Sequence, residues 1–145
     1  MRLVNIKEIK KIVFICLLFG CEKNLSKLHE YAFVVDTHND VLLRSMIGRD
    51  ILTNLPESHS DLPKFKTGGV DCQVFSIWVS PQEFSEGEYY NRANQMISQL
   101  EYLCSRVPDQ WAIPFDYQDL VYNDQHEIMS CMIGVEGGHA IENDL

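Results

Sequence analysis

Val34 to Val41 reads VVDTHNDV, and its polar residues Asp36, His38 and Asp40 fall at every second position. Successive side chains of a strand point to opposite faces. On a strand, this spacing therefore predicts one face carrying an acid, an imidazole and a second acid. Such a face is costly in a core and useful around a cation, because imidazole nitrogen and carboxylate oxygen both bind zinc at about 2.0–2.2 Å. His38 and Asp40 are the candidate ligands, and Asp36 is a candidate for orienting the imidazole from behind. H-x-D is a short pattern, however, and a surface loop in which DTHND makes turns and caps fits it too.

Glu136 is the third candidate. It follows the apolar run Ile128 to Val135 and precedes Gly137 and Gly138. A carboxylate at a strand end before a flexible turn can bridge two metals; as a bland alternative it is a solvated turn residue. His139 can stand behind the ligands or cap the next segment. A second His-Ser-Asp, His59 to Asp61 in SHSDLP, lies between Pro56 and Pro63 with no apolar strand ahead of it. It is expected to be a turn and a helix cap. No G-x-S-x-G elbow, P-loop, G-x-G-x-x-G or H-E-x-x-H is present, so nucleophile and nucleotide chemistries lack their usual carriers.

Several elements must position these residues. Tyr31 to Val35 reads as a short buried strand, and VLLRSMIGRDI after Asp40 as one or two helical turns. Val70 to Val79 is a second apolar strand. Between Glu86 and Val107, the residues Tyr90, Ala93, Ile97, Leu100, Cys104 and Val107 recur at threes and fours, which predicts a helix with one apolar stripe. Trp111 to Ile113 is a brief strand candidate. Asp116 caps a helix to about His126, with Asp119 three residues on, and Ile128 to Val135 is a further strand. Strands that are continuously apolar and alternate with helices predict a parallel α/β sheet covered on both faces. In such folds chemistry gathers at the carboxyl ends of the strands, where His38, Asp40 and Glu136 fall. A closed eight-stranded barrel takes roughly 250 residues; this chain has 145.

The first twenty residues are read as a targeting segment. Arg2, Lys7, Lys10 and Lys11 precede the short apolar run Ile12 to Gly20, too short to span a bilayer and typical of a signal peptide. The run ends Leu18-Phe19-Gly20-Cys21, similar to the lipobox of bacterial lipoproteins, in which the cysteine is lipidated. The expected layout is a signal peptide of lipoprotein type over 1–20, lipid on Cys21, a tether over 21–30 and the globular domain over 31–145. The chain would sit on the bacterial envelope, anchored to the membrane on its periplasmic or extracellular side. Its net charge of −9 and pI near 4.9 argue against a nucleic-acid binder, which needs a basic patch to meet phosphates. Cys72, Cys104 and Cys131 form no metal or disulfide framework, and at most one pair of them can join.

Together VVDTHNDV, SHSDLPKFKTGGVDCQVFSIWV and IGVEGGHAIE resemble, in order and spacing, the membrane dipeptidase family (renal dipeptidase-like, peptidase family M19), from about Phe33 to the end. The resemblance implies a (β/α)8 TIM-type barrel of the metal-dependent hydrolase kind, two Zn2+ per site, a dipeptide substrate, and a homodimer in full-length relatives. His38 and Asp40 match the ligands of one zinc, and Glu136 matches the glutamate that bridges both. His139 matches a position beside it without a catalytic role. The family's two further zinc-binding histidines, its substrate-binding arginine and its late catalytic aspartate have no counterpart here. No catalytic residue is therefore identified, and the expectation is an incomplete N-terminal part of such an enzyme, inactive alone. Two other readings stand beside it: a non-catalytic envelope lipoprotein that binds a ligand, and another amidohydrolase-type enzyme, although that class more often shows H-x-H.

Overall fold

The computed structural model describes residues 25–142. The chain divides between Tyr31 and Ala32. The first unit contributes one described element, helix α1 (Leu25–Tyr31), which occupies part of the stretch expected to be a tether. The expectations for the targeting segment and for Cys21 lie outside the described residues.

In the second unit, strands and helices alternate as the apolar runs and caps imply: β1 (Val35–Asn39), α2 (Leu42–Met46), α3 (Leu62–Gly68), β2 (Cys72–Trp78), α4 (Tyr89–Arg106), β3 (Trp111–Ala112), α5 (Tyr117–Gln125), β4 (Met129–Glu136) and a 3-10 turn (Gly138–Ile141). The strands form one sheet in the order β1-β2-β4-β3, every pair parallel. Parallel neighbours cannot be joined by a tight hairpin, so each connection crosses over through helix. The crossovers bring the carboxyl ends of β1, β2 and β4 to one end of the sheet.

Local chemistry sets the helix starts. Asp116 accepts the Asp119 N–H at 3.0 Å, while the Asp119 carboxylate reaches back to the Phe115 N–H at 2.8 Å, a reciprocal cap displaced by one residue from the usual box. Asp61 caps α3 and is fully buried. It accepts the backbone N–H groups of Lys64 at 2.9 Å and Leu55 at 2.8 Å, and it pairs with the Lys64 ammonium. Burial pushes the carboxyl up, but the Lys64 ammonium and the two backbone donors outweigh burial and hold it below the usual carboxylate value. Asp61→Ala should cost about 1–3 kcal/mol, through the lost cap and the stranded Leu55 N–H. Because the folded-state pKa is depressed, this stabilisation is present above the unfolded value and disappears as pH falls through the folded one. Urea midpoints of the two proteins should therefore converge as the pH drops below about 4.

The core lies on one side of the sheet. Phe75, Ile77 and Val79 from β2 and its end join Met129 and Cys131 of β4 against Leu42, Phe65, Met96, Leu100 and Leu103 from the helices. Phe65, Phe75 and Trp111 pack with ring centroids 5.5–6.1 Å apart. The buried stripe of α4 is Ala93, Met96, Leu100, Leu103 and Cys104. It is rotated from the one expected, and Tyr90 is exposed. Cys72, Cys104 and Cys131 are buried free thiols; burial pushes the Cys131 thiol well up.

Two sequence expectations are corrected. The apolar runs predict a sheet covered on both faces, but Val35, Met132, Ile133 and Val135 are exposed. The first strand is expected at Tyr31 to Val35, yet it runs from Val35 to Asn39. The strand begins where pairing with β2 begins: the Val34 carbonyl accepts the N–H groups of Asp71 and Cys72, and Val35 is the first residue in register. Apolar character ahead of Val34 marks the approach to the sheet, while the paired segment itself is the polar one.

Candidate metal centre

The pairing of β1 with β2 is irregular. Val35 lies opposite Cys72 and Asp36 opposite Gln73, and the next pair in register is Asn39 with Phe75. The chain thus advances from Asp36 to Asn39 on β1 while β2 advances only from Gln73 to Phe75. One extra residue is taken up on β1, as in a bulge. Paired residues of adjacent strands point to the same face, so Asp36 and Asn39 share the face of Gln73 and Phe75. Their side chains meet, the Asn39 amide lying 3.5 Å from Asp36 Oδ2. This corrects the expectation that Asp36, His38 and Asp40 share one face. Asp36 acts on His38 through the main chain instead, its Oδ1 accepting the His38 N–H at 3.1 Å.

The same irregularity sends His38 and Asp40 towards Glu136. His38 Nε2 lies 3.5 Å from Asp40 Oδ2 and 3.7 Å from Glu136 Oε2. One donor atom from each residue lies within 4.8 Å of the other two. Two ligands about 2.05 Å from a tetrahedral ion stand about 3.3 Å apart. The two separations from His38 are close to that edge length and longer than a strong hydrogen bond, so the three residues can close on a small cation. The side chains are half exposed, at 55%, 57% and 50%, and one imidazole with two carboxylates suits zinc among the common divalent ions. Among the described residues, no other three such side chains come together.

The surroundings hold these groups in place. The Asn39 side-chain carbonyl oxygen accepts the Val41 N–H at 2.9 Å, and its amide donates to Ser60 Oγ at 3.0 Å, which ties the end of β1 to the SHSDLP loop. Within that loop His59 is exposed and stands apart from the cluster, and Asp61 is occupied as a cap. Gln73, fully buried, donates to the Asp36 carbonyl at 3.2 Å, directly at the irregularity. Ser76 of β2 donates to Glu136 Oε2 at 2.9 Å.

The turn after Glu136 depends on its glycines. Gly137 has φ +85, and a Cβ there would come within 2.5 Å of the His139 ring. His139 lies outside the cluster: Nε2 is 2.8 Å from the Val79 carbonyl, which can only accept, so Nε2 carries the proton. Its ring stands edge-on to Tyr89 at 5.0 Å. It is a strut between the turn and the end of β2. Gly134 permits a second close approach, since a Cβ there would sit 2.7 Å from Val74 Cγ1.

Gln73 and Ser76 do not figure among the residues the sequence points to, where Val70 to Val79 reads as simply apolar. The available signal is two polar residues inside a strand whose other positions call for burial.

Residues 22–145 match the model of the family described as Membrane dipeptidase (Peptidase family M19). Dipeptidase 3 of Mus musculus is 27% identical over 130 residues, covering 86% of this chain and 25% of that protein. Dipeptidase 3 of Rattus norvegicus is 25% identical over the same length, with the same coverage. The chain thus spans about a quarter of the length of the curated relatives it matches. Among solved structures, the dipeptidase AC, a metallopeptidase of family M19, superposes with a TM-score of 0.65 at 23% identity, covering 74% of this chain and 36% of that one. The probable dipeptidase PvdM from Pseudomonas aeruginosa gives 0.68 at 16% identity, covering 84% and 32%. These likenesses show the fold: a parallel α/β sheet forming part of a TIM-type barrel.

Proposed function

This chain belongs to the membrane dipeptidase family, peptidase family M19, and from that premise we propose that His38, Asp40 and Glu136 are zinc ligands contributed to the centre of a dipeptide hydrolase. The observation that carries this reading is the convergence of the three side chains, from the ends of two strands, within 4.8 Å. When bound, a pair of zinc ions supplies Lewis-acid polarisation of the scissile carbonyl and a water of lowered pKa. The residues of this chain hold and orient. His38 and Asp40 approach from the end of β1 and Glu136 from the end of β4, and two carboxylates balance the charge of a divalent cation.

Three donors are enough for one ion bound weakly and too few for a two-metal centre. The 145-residue chain should therefore bind zinc without turning over a dipeptide, and turnover belongs to a longer chain that supplies the other ligands. The check is a dipeptide hydrolysis assay on the purified chain with added zinc. Turnover that disappears in His38→Ala would contradict the expected inactivity of the 145-residue chain while supporting the ligand role of His38.

The motif Leu18-Phe19-Gly20-Cys21 carries the second part of the proposal, anchoring to the bacterial envelope by lipid on Cys21. Among the described residues, no helix is long and apolar enough to cross a membrane. Expressed in a bacterium with labelled palmitate, the chain should carry label and sediment with membranes. Cys21→Ala should abolish the label.

A further inference from the structure

We infer that Ser76 is a positioning residue of the metal site: its hydroxyl presets Glu136 for the cation and thereby sets the affinity. The inference rests on the proposed ligand role of Glu136 and goes beyond it, because Ser76 binds no metal itself.

Burial makes the Ser76 hydroxyl costly. Ser76 is 2% exposed and lies in a strand between Phe75 and Ile77, both fully buried in the core. A hydroxyl removed from water needs a hydrogen-bond partner. Its partner is Glu136 Oε2, on the neighbouring strand, at 2.9 Å. That same oxygen faces His38 Nε2 at 3.7 Å, so Ser76 grips the atom that stands at the ligand position.

Glu136 needs such a grip. It is the last residue of β4, its side chain is half exposed, and it precedes the positive-φ turn at Gly137. A free glutamate there loses rotamer entropy whenever it binds an ion. A hydrogen bond from a buried, strand-borne hydroxyl removes part of that loss in advance. The backbone register places Ser76 opposite Gly134 and Trp78 opposite Glu136. Ser76 therefore reaches Glu136 diagonally, two residues along the ladder from its own partner.

Zinc affinity of the full 145-residue chain, read by competition with a chromophoric chelator, tests this together with the absorption spectrum of the cobalt(II)-substituted protein. Ser76→Ala should weaken zinc binding by about 10–100-fold, as loss of a partner behind a ligand does, and should alter the cobalt spectrum. Ser76→Thr, which keeps the donor, should retain near wild-type affinity; it also serves if the alanine variant does not fold. In a Glu136→Ala background, Ser76→Ala should cause no further loss, whereas a merely structural role would cost the same in both backgrounds. Wild-type affinity in Ser76→Ala, or equal losses in both backgrounds, overturns the inference while leaving the ligand assignment standing. Absence of zinc and cobalt binding by the wild-type chain overturns both.

Discussion

His38→Ala should reduce zinc affinity more than any other single substitution in the second unit. The imidazole is the one nitrogen donor of the cluster, and its Nε2 lies 3.5 and 3.7 Å from the two carboxylates. Without it, Asp40 and Glu136 remain as two acids at a half-exposed edge, with no neutral donor between them. The loss should exceed the about 10–100-fold that follows from removing a supporting partner. The fold should not change, since His38 is exposed and belongs to no core cluster. Equilibrium dialysis against zinc, with far-ultraviolet circular dichroism as the fold control, measures both. His59→Ala is the matched comparison: it removes the imidazole of the lookalike SHSDLP motif and should leave affinity unchanged.

The second large effect concerns the core. Phe75 is fully buried and packs against Phe65 at 6.1 Å and Trp111 at 5.5 Å between ring centroids. Phe75→Ala should cost about 3–5 kcal/mol through lost transfer energy and the cavity left behind. A domain of ordinary stability has about 5–15 kcal/mol in total. This one leaves Val35, Met132, Ile133 and Val135 of its sheet exposed, so it belongs at the low end. Phe75→Ala is thus expected to be largely unfolded in a urea titration that the wild type survives. Val135→Ala, on the exposed part of β4, should shift the stability by less than about 0.5 kcal/mol. The same exposed apolar side chains predict self-association on concentration.

Much of the architecture is legible in the sequence because it is written in local chemistry. Asp61 and Asp116 announce the helix starts they cap. The apolar runs around Phe75 and Cys131 become the paired centre of the sheet. The residue types of His38, Asp40 and Glu136, each at a strand end, point to a cation without any distance between them. What cannot be read depends on partners distant in sequence. The irregularity that turns Asp36 away from His38 arises from the register against Gln73 and Phe75, and nothing within VVDTHNDV encodes it. The stripe of α4 is displaced because Ala93, Leu100 and Cys104 fit two neighbouring helical faces, and packing chooses the one that buries Met96 and Leu103. Ser76 is one small polar residue in a strand until Glu136 is found beside it. The sequence pattern thus names the groups, while strand register decides which of them meet.

Anomalous diffraction at the zinc edge, from crystals of the chain grown with zinc, tests the proposed centre most directly. The predicted result is one peak about 2.0–2.2 Å from His38 Nε2 and from carboxylate oxygens of Asp40 and Glu136, with Ser76 still bonded to Glu136. A zinc site elsewhere on the chain, with these three side chains free of metal, would contradict it.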